Sequence, residues 1–263
     1  VDAINERLDA VDGLLNDGNL LEILSSRLRS LPDLERLLSR IHAGNLKVKD
    51  FAKVIESFNN IKKLNLELVG EYGSIDTLPG VLSKFFQSIP SELNSAIEEW
   101  ENSFDHSKAI TEDLLIPEPG VEKEFDESNS IQQDMENQLN TLLRQYKREY
   151  KSQEICYKDS GKEIYWIEVP NKALKKIPKD WVIMGSTSKN KRYWSPEVKE
   201  IVQELMEARE RHKLIMENLK SKLYARFDKN YLLWMNTVKA IANVDSIISL
   251  ALTSESLGQP SCR

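Results

Sequence analysis

Apolar residues recur at helical spacing through most of the chain. Ile4, Leu8, Val11, Leu14 and Leu15 lie three or four apart and predict a first helix over 1–15, closed by a turn at Asn16-Asp17-Gly18-Asn19. A helix from about residue 20 is interrupted at Leu31-Pro32. The next is expected to hold Pro32 in its first turn behind a Ser30 cap, with Leu34, Leu37, Leu38 and Ile41 on one face and Gly44 closing it. Phe51, Ile55, Phe58, Ile61 and Leu64 predict a helix over 48–68, and 70–80 reads as a loop or linker. Leu93, Ile97, Trp100 and Phe104 share one face of a helix expected over 91–106. Ile116-Pro117-Glu118-Pro119-Gly120 then breaks the pattern and is the best candidate for a boundary, with an acidic run over 122–126 behind it.

Ile131, Met135, Leu139, Leu142, Tyr146 and Tyr150 mark a helix that leads into different territory. Over 157–194 the chain reads as β. Ile155-Cys156-Tyr157 and the alternating run 164–169 flank Lys158-Asp159-Ser160-Gly161-Lys162, which predicts a hairpin with Gly161 supplying the special dihedral. Residues 186–192 (STSKNKR) predict a second polar loop before Tyr193-Trp194. Ser195-Pro196-Glu197 is a strong helix start, and Val198, Ile201, Leu205, Ala208, His212, Ile215, Leu219 and Leu223 extend it to Phe227. About 30 residues at 1.5 Å each makes a rod of roughly 45 Å. Tyr231, Trp234, Val238, Ile241, Ile248 and Leu252 mark a last helix over 230–252. The predicted fold is mainly α, an antiparallel pair of rods carrying a small α+β insert with a short antiparallel sheet. No internal repeat is visible.

Charge singles out the insert. From Arg144 to Arg192 there are 13 Lys and Arg against six Asp and Glu, a local charge of +7 on a chain of −6, so the remainder carries −13. At 263 residues the chain can bury a core and hold two domains, and 30% charged residues with 40% apolar ones mark it as globular. No apolar run is long enough to span a membrane. The first 15 residues lack the basic stretch and unbroken apolar core of a signal peptide, and because Val1 stands where Met would, the chain is expected to be a segment of a longer protein. Cys156 and Cys262 lie far apart, a pattern of reducing compartments.

Signals for chemistry are missing. There is no glycine-rich phosphate loop, and His42, His106 and His212 are scattered with no cysteine at ligand spacing, so neither a nucleotide nor a metal site is expected. Asp105-His106-Ser107 are consecutive and cannot face one another as a catalytic triad, so they read as a polar cluster at a helix end. The basic insert is the exception. Two basic, small-residue turns, expected at one end of the sheet, suit phosphate: Lys and Arg supply charge, and Ser, Asn and backbone N–H groups supply hydrogen bonds. With no recognition helix, such binding would be to backbone and not to sequence. The alternative is a helical scaffold whose basic tip docks on an acidic protein partner.

Several stretches resemble the MutS mismatch-repair family. Residues 7–15 (RLDAVDGLL) and 31–42 (LPDLERLLSRIH) are similar to its core, or lever, domain, and 163–170 (EIYWIEVP) with 186–200 (STSKNKRYWSPEVKE) are similar to its clamp and the exit from it. Residues 245–251 (DSIISLA) and 258–263 (GQPSCR) resemble the last lever helix and the lead into an ATPase domain. Within the family, 100–110 (WENSFDHSKAI), 191–194 (KRYW) and 227–234 (FDKNYLLW) look most like the larger, mispair-recognising subunit of the eukaryotic MutSα heterodimer, and 157–165 (YKDSGKEIY) leans towards fungal members.

The resemblance implies a lever over 1–127 and 216–263 and a clamp over 128–215, with its basic β tip at about 154–194. The lever would pass the nucleotide state of an absent ATPase domain to the clamp, which would encircle double-stranded DNA without reading mismatches. A Lys-Asn pair that contacts DNA in the family falls on Lys189-Asn190, so Lys189, Asn190, Lys191 and Arg192 are the first expected contacts, then Lys158, Ser160 and Lys162. The resemblance further implies a second MutS-type subunit as heterodimeric partner, a nuclear location, no membrane, and no catalytic residue or cofactor in this segment, ATP and Mg belonging to the absent ATPase domain.

Overall fold

The computed structural model describes residues 2–161 and 163–258, the side chains of Ser160, Lys175 and Lys176 excepted. Lys162, one of the expected DNA contacts, and 259–263 with Cys262 lie outside the described residues. Helices α1 (Asp2–Asn16), α2 (Gly18–Leu28), α3 (Leu34–His42), α4 (Val48–Tyr72), α5 (Val81–Gln87), α6 (Leu93–Glu101), α7 (His106–Glu112) and α8 (Lys123–Glu149) come first. Strands β1 (Cys156–Ser160), β2 (Glu163–Pro170), β3 (Val182–Ser186) and β4 (Asn190–Trp194) follow, then α9 (Pro196–Asp228) and α10 (Tyr231–Ser256). The fold is mainly helical, with a four-stranded antiparallel sheet inserted between α8 and α9, as the periodicity predicts. The chain forms two compact units, 1–118 with 219–263, and 119–218.

The first unit is built on α4. Phe51 meets the rings of Trp100, Phe104, Tyr224 and Phe227 at centroid distances of 5.7, 5.6, 4.8 and 5.2 Å, and Phe227 stacks on Trp234 at 4.6 Å. All six are buried. Several local expectations change here. Helix α3 is capped by Asp33, which accepts from the Arg36 N–H at 3.1 Å, so Pro32 stands outside the helix and the Ser30 hydroxyl turns back to the Arg27 carbonyl. A carboxylate one residue beyond the proline serves the helix N-terminus better than a hydroxyl three residues back. The expected linker over 70–80 is mostly structured: α4 runs on to Tyr72, a 3₁₀ turn covers Ile75–Thr77, and Leu78 is buried. A Cβ at Gly13 would collide with Pro79, so this segment is clamped to α1.

The helix expected over 91–106 stops at Glu101, and a separate helix, α7, begins at His106. Asp105 caps α7 by accepting from the Lys108 N–H at 3.0 Å, and Phe104 bridges to Pro117 between them. Gly44 closes α3 as expected, at φ 70°.

In the second unit α8 begins eight residues earlier than its first expected apolar marker, because the acidic run supplies Glu124 and Asp126 to its first turn. It packs antiparallel to the start of α9. Ser128 meets His212, Glu136 meets Arg209 at 2.8 Å, and Tyr146 meets Ser195 at 2.8 Å. The sheet, in the order β1-β2-β4-β3, lays Ile167, Val169 and Tyr193 on a core with Leu139, Tyr146, Tyr150, Trp181, Val198, Val202 and Leu205. Strand β3 is an edge, with Val182 and Ile183 exposed and a bulge between Ile183 and Gly185.

Candidate nucleic-acid interface

Cross-strand register decides what the sheet can offer a ligand. Residues directly opposite one another in an antiparallel pair point to the same face. Ile167 pairs with Tyr193, and this row faces the helices. Glu168 pairs with Arg192 and with Cys156, Lys158 pairs with Trp166, and Asn190 pairs with Pro170, so these residues share the opposite, outer face.

Residues 190–192 belong to a strand, not to the expected loop. The turn proper is Thr187-Ser188-Lys189, closed by Thr187 N–H to the Asn190 carbonyl at 2.8 Å and by Asn190 N–H to Thr187 Oγ1 at 3.1 Å. Asn171, opening a 3₁₀ turn over Asn171–Lys176, pins it from the side. Its backbone N–H and its Nδ2 both reach the turn, at the Lys189 and Ser188 carbonyls, each at 3.0 Å.

This leaves Lys189 exposed at the apex and Lys191 half-buried, with exposed Lys172 on the adjoining 3₁₀ turn. Among the described residues none of the three has an ion-pair partner. Asn190 and Arg192 are engaged: Asn190 Nδ2 donates to Glu168 Oε1 and Arg192 Nε donates to Glu168 Oε2, both at 3.0 Å.

The first hairpin turns at Gly161, at φ 62°, with Lys158 exposed on the outer face and Ser160 opposite Glu163. The two basic turns do not lie at one end of the sheet. Strand β2 leaves the first turn at Glu163 and ends at Pro170, beside the second. Its eight residues put them about 25 Å apart at ~3.3 Å per residue. The cause is the 171–181 connection, which carries the chain back so that β3 runs the same way as β2. Lys189, Asn190, Lys191 and Arg192 thus stay near the second turn, with Lys191, opposite Val169, on the other face of the sheet from Asn190 and Arg192, and Lys158 and Ser160 are not brought to them.

Tyrosines fix the sheet on the helices. Tyr157 OH donates to the Leu139 carbonyl at 2.8 Å, and burial pushes its pKa up. Tyr165 adopts φ 58° in β2, its N–H donating to Asp159 Oδ1 at 2.9 Å, and packs edge-on to Tyr157 at 5.2 Å. Burial, then Glu136, raises the Tyr165 pKa. Tyr146 is pushed up to about 12, chiefly by burial, against the lowering effect of its bond to Ser195.

Lys172 and Glu168 were not among the expected site residues. The run Lys172-Ala173-Leu174-Lys175-Lys176 is the signal for the first. Glu168 needs the β2–β4 register, which no local pattern supplies. Of the supposed triad, His106 stacks on Phe104 at 4.2 Å, with Nε2 3.3 Å from the Trp100 carbonyl, and Asp105 is a helix cap. Among the described residues no cluster of three His, Cys, Asp or Glu could hold a metal, and no helix is long and apolar enough to cross a membrane.

Residues 1–251 match the family described as MutS domain III. The chain is 44% identical over 261 residues to DNA mismatch repair protein MSH6 of Saccharomyces cerevisiae, covering 99% of this chain and 21% of that protein. It is 28% identical over 290 residues to Msh6 of Gallus gallus and 26% identical over 296 residues to Msh6 of Homo sapiens, with 99% of this chain covered in both and 22% and 21% of those proteins. The chain therefore spans about a fifth of the length of these curated relatives.

Proposed function

The chain belongs to the MutS domain III family, and from that premise we propose that it serves DNA mismatch repair as a lever and clamp segment. Unit 119–218 is the clamp, gripping duplex DNA through its phosphates without reading sequence, and the helices of the other unit are the lever. The observation that carries this reading is Lys189 at the apex of a turn locked by Asn171, with Lys172 on the adjoining 3₁₀ turn and Lys191 in β4, all three without ion-pair partners among the described residues. Lysine side chains on a rigid frame gain affinity from counter-ion release and need no base contact.

The rest of the reading follows from the family. The segment performs no reaction itself. ATP and Mg act in an ATPase domain outside these residues, the lever relays that domain's state, and a second MutS-type subunit completes the grip in the nucleus.

Replacing Lys172, Lys189 and Lys191 together by Ala tests the interface. Fluorescence titration of the chain onto matched and mismatched duplexes at several salt concentrations should show equal weakening on both. The slope of log K against log salt should become shallower by up to about 2.7, at ~0.9 per phosphate contact. An unchanged slope would remove these lysines from the interface. A chain that ignores duplex but binds polyglutamate would fit the scaffold reading instead.

A further inference from the structure

The donors nearest the lysine group are already spent on an acid. Glu168 accepts from Asn190 Nδ2 at one oxygen and from Arg192 Nε at the other, both at 3.0 Å. The Glu168 and Arg192 side chains are only 13% and 29% exposed. Arg192 also lies 5.7 Å from the centroid of the Trp166 ring, on the same face. Trp166, Glu168 and Arg192 are fixed there by the β2–β4 register, not by a mobile loop.

An amide and a guanidinium, one on each oxygen of a small anion, is also the arrangement that would receive the two free oxygens of a phosphodiester. We propose that Glu168 is a resident anion that withholds Arg192 and Asn190 from DNA phosphate and so limits the grip of the surface. The inference rests on the duplex-binding reading above. Exchange of Glu168 for a phosphate is opposed, because it would strand a mostly buried carboxylate without its donors. The clamp therefore works with fewer phosphate contacts than its sequence advertises. Weak, salt-sensitive contacts are the kind that let a protein slide along duplex.

Glu168→Gln keeps the shape and removes the charge. Its amide oxygen can still accept one donor, but the negative charge that holds the guanidinium is gone, so Arg192 can exchange to a phosphate. Titrated onto duplex between 0.05 and about 0.4 M salt, this variant should show a slope steeper by about 0.9, worth roughly eightfold tighter binding at 0.1 M for one added phosphate contact. Arg192→Gln alone should leave the slope as it is, and in the Glu168→Gln background it should abolish the gain.

A merely structural Glu168 would give no gain in slope, which would overturn the proposal. So would a loss of slope in Arg192→Gln alone, a result that does not depend on how well Glu168→Gln folds. The triple lysine variant separates the two ideas. If it weakens binding while Glu168→Gln does not tighten it, only the present inference falls. If no form of the chain binds duplex, the duplex reading falls and takes this one with it.

Discussion

Replacing Ser195 by Ala removes two hydrogen bonds at once. Its Oγ accepts from the Val198 N–H at 3.1 Å, capping α9, and lies 2.8 Å from Tyr146 OH on α8. Ser195 is fully buried, so water cannot replace either bond. Loss of the cap should cost about 1 kcal/mol. Loss of the bond to Tyr146 should cost about 1 kcal/mol more, and not the larger figure for an orphaned group, because Tyr146 OH still reaches Glu197 Oε2 at 3.3 Å.

The sum, about 2 kcal/mol, lowers the urea midpoint by ~1.3 M for an m-value of about 1.5 kcal/mol/M. Tyr146→Phe should cost about 1 kcal/mol, and the double variant about 2 and not 3, a coupling of ~1 kcal/mol. The Ser195 bond lowers the Tyr146 pKa from where burial alone would set it, so Ser195→Ala should also move the alkaline tyrosine titration upward. Strict additivity of the two substitutions, or a Ser195→Ala cost below about 0.5 kcal/mol, would refute the view that this hydroxyl joins the two helices.

Two further outcomes are expected. Lys151 has φ 51° and follows α8 in a Schellman turn, with Lys151 N–H on the Arg148 carbonyl at 3.3 Å and Ser152 N–H on that of Lys147 at 3.1 Å. Lys151→Gly relieves a left-handed lysine and should stabilise the chain by about 0.5–1 kcal/mol, read as a higher urea midpoint. Burial lowers the pKa of His212, which bonds Ser128 Oγ at 3.1 Å, from its ordinary 6.5. The unfolded chain thus takes up the proton first as pH falls, and stability drops from about pH 6.5 down through the lowered value. His212→Gln should flatten that decline between pH 7.5 and 5.5, and an undiminished decline would count against it.

The long elements were legible because each repeats its apolar signal several times. Val198 to Leu223 leaves little freedom about α9, and Ser195-Pro196-Glu197 marks its start within a residue. Helix α5 was missed because seven residues between Gly80 and Ser88 hold only two turns, too few for a period to emerge. The break before α7 was hidden because Phe104 continues the spacing of Trp100 while packing from outside both helices.

The candidate site was legible in composition but not in layout. Lys189, Asn190, Lys191 and Arg192 are neighbours in sequence and remain so in space. Which of them is free depends on Glu168, more than 20 residues away, and so on strand register. The separation of the two turns depends on 171–181, whose composition does not tell a local loop from a crossover.

The bulge in β3 bears on how the chain behaves in concentrated solution. Exposed Val182 and Ile183 on an edge strand would ordinarily invite the strand of another molecule to add to the sheet. The slip between Ile183 and Gly185 breaks the spacing of the backbone donors and acceptors on that border, so an approaching strand meets no unbroken ladder to copy. A basic turn can then stand open beside an apolar edge that offers copies of the chain no regular strand to extend.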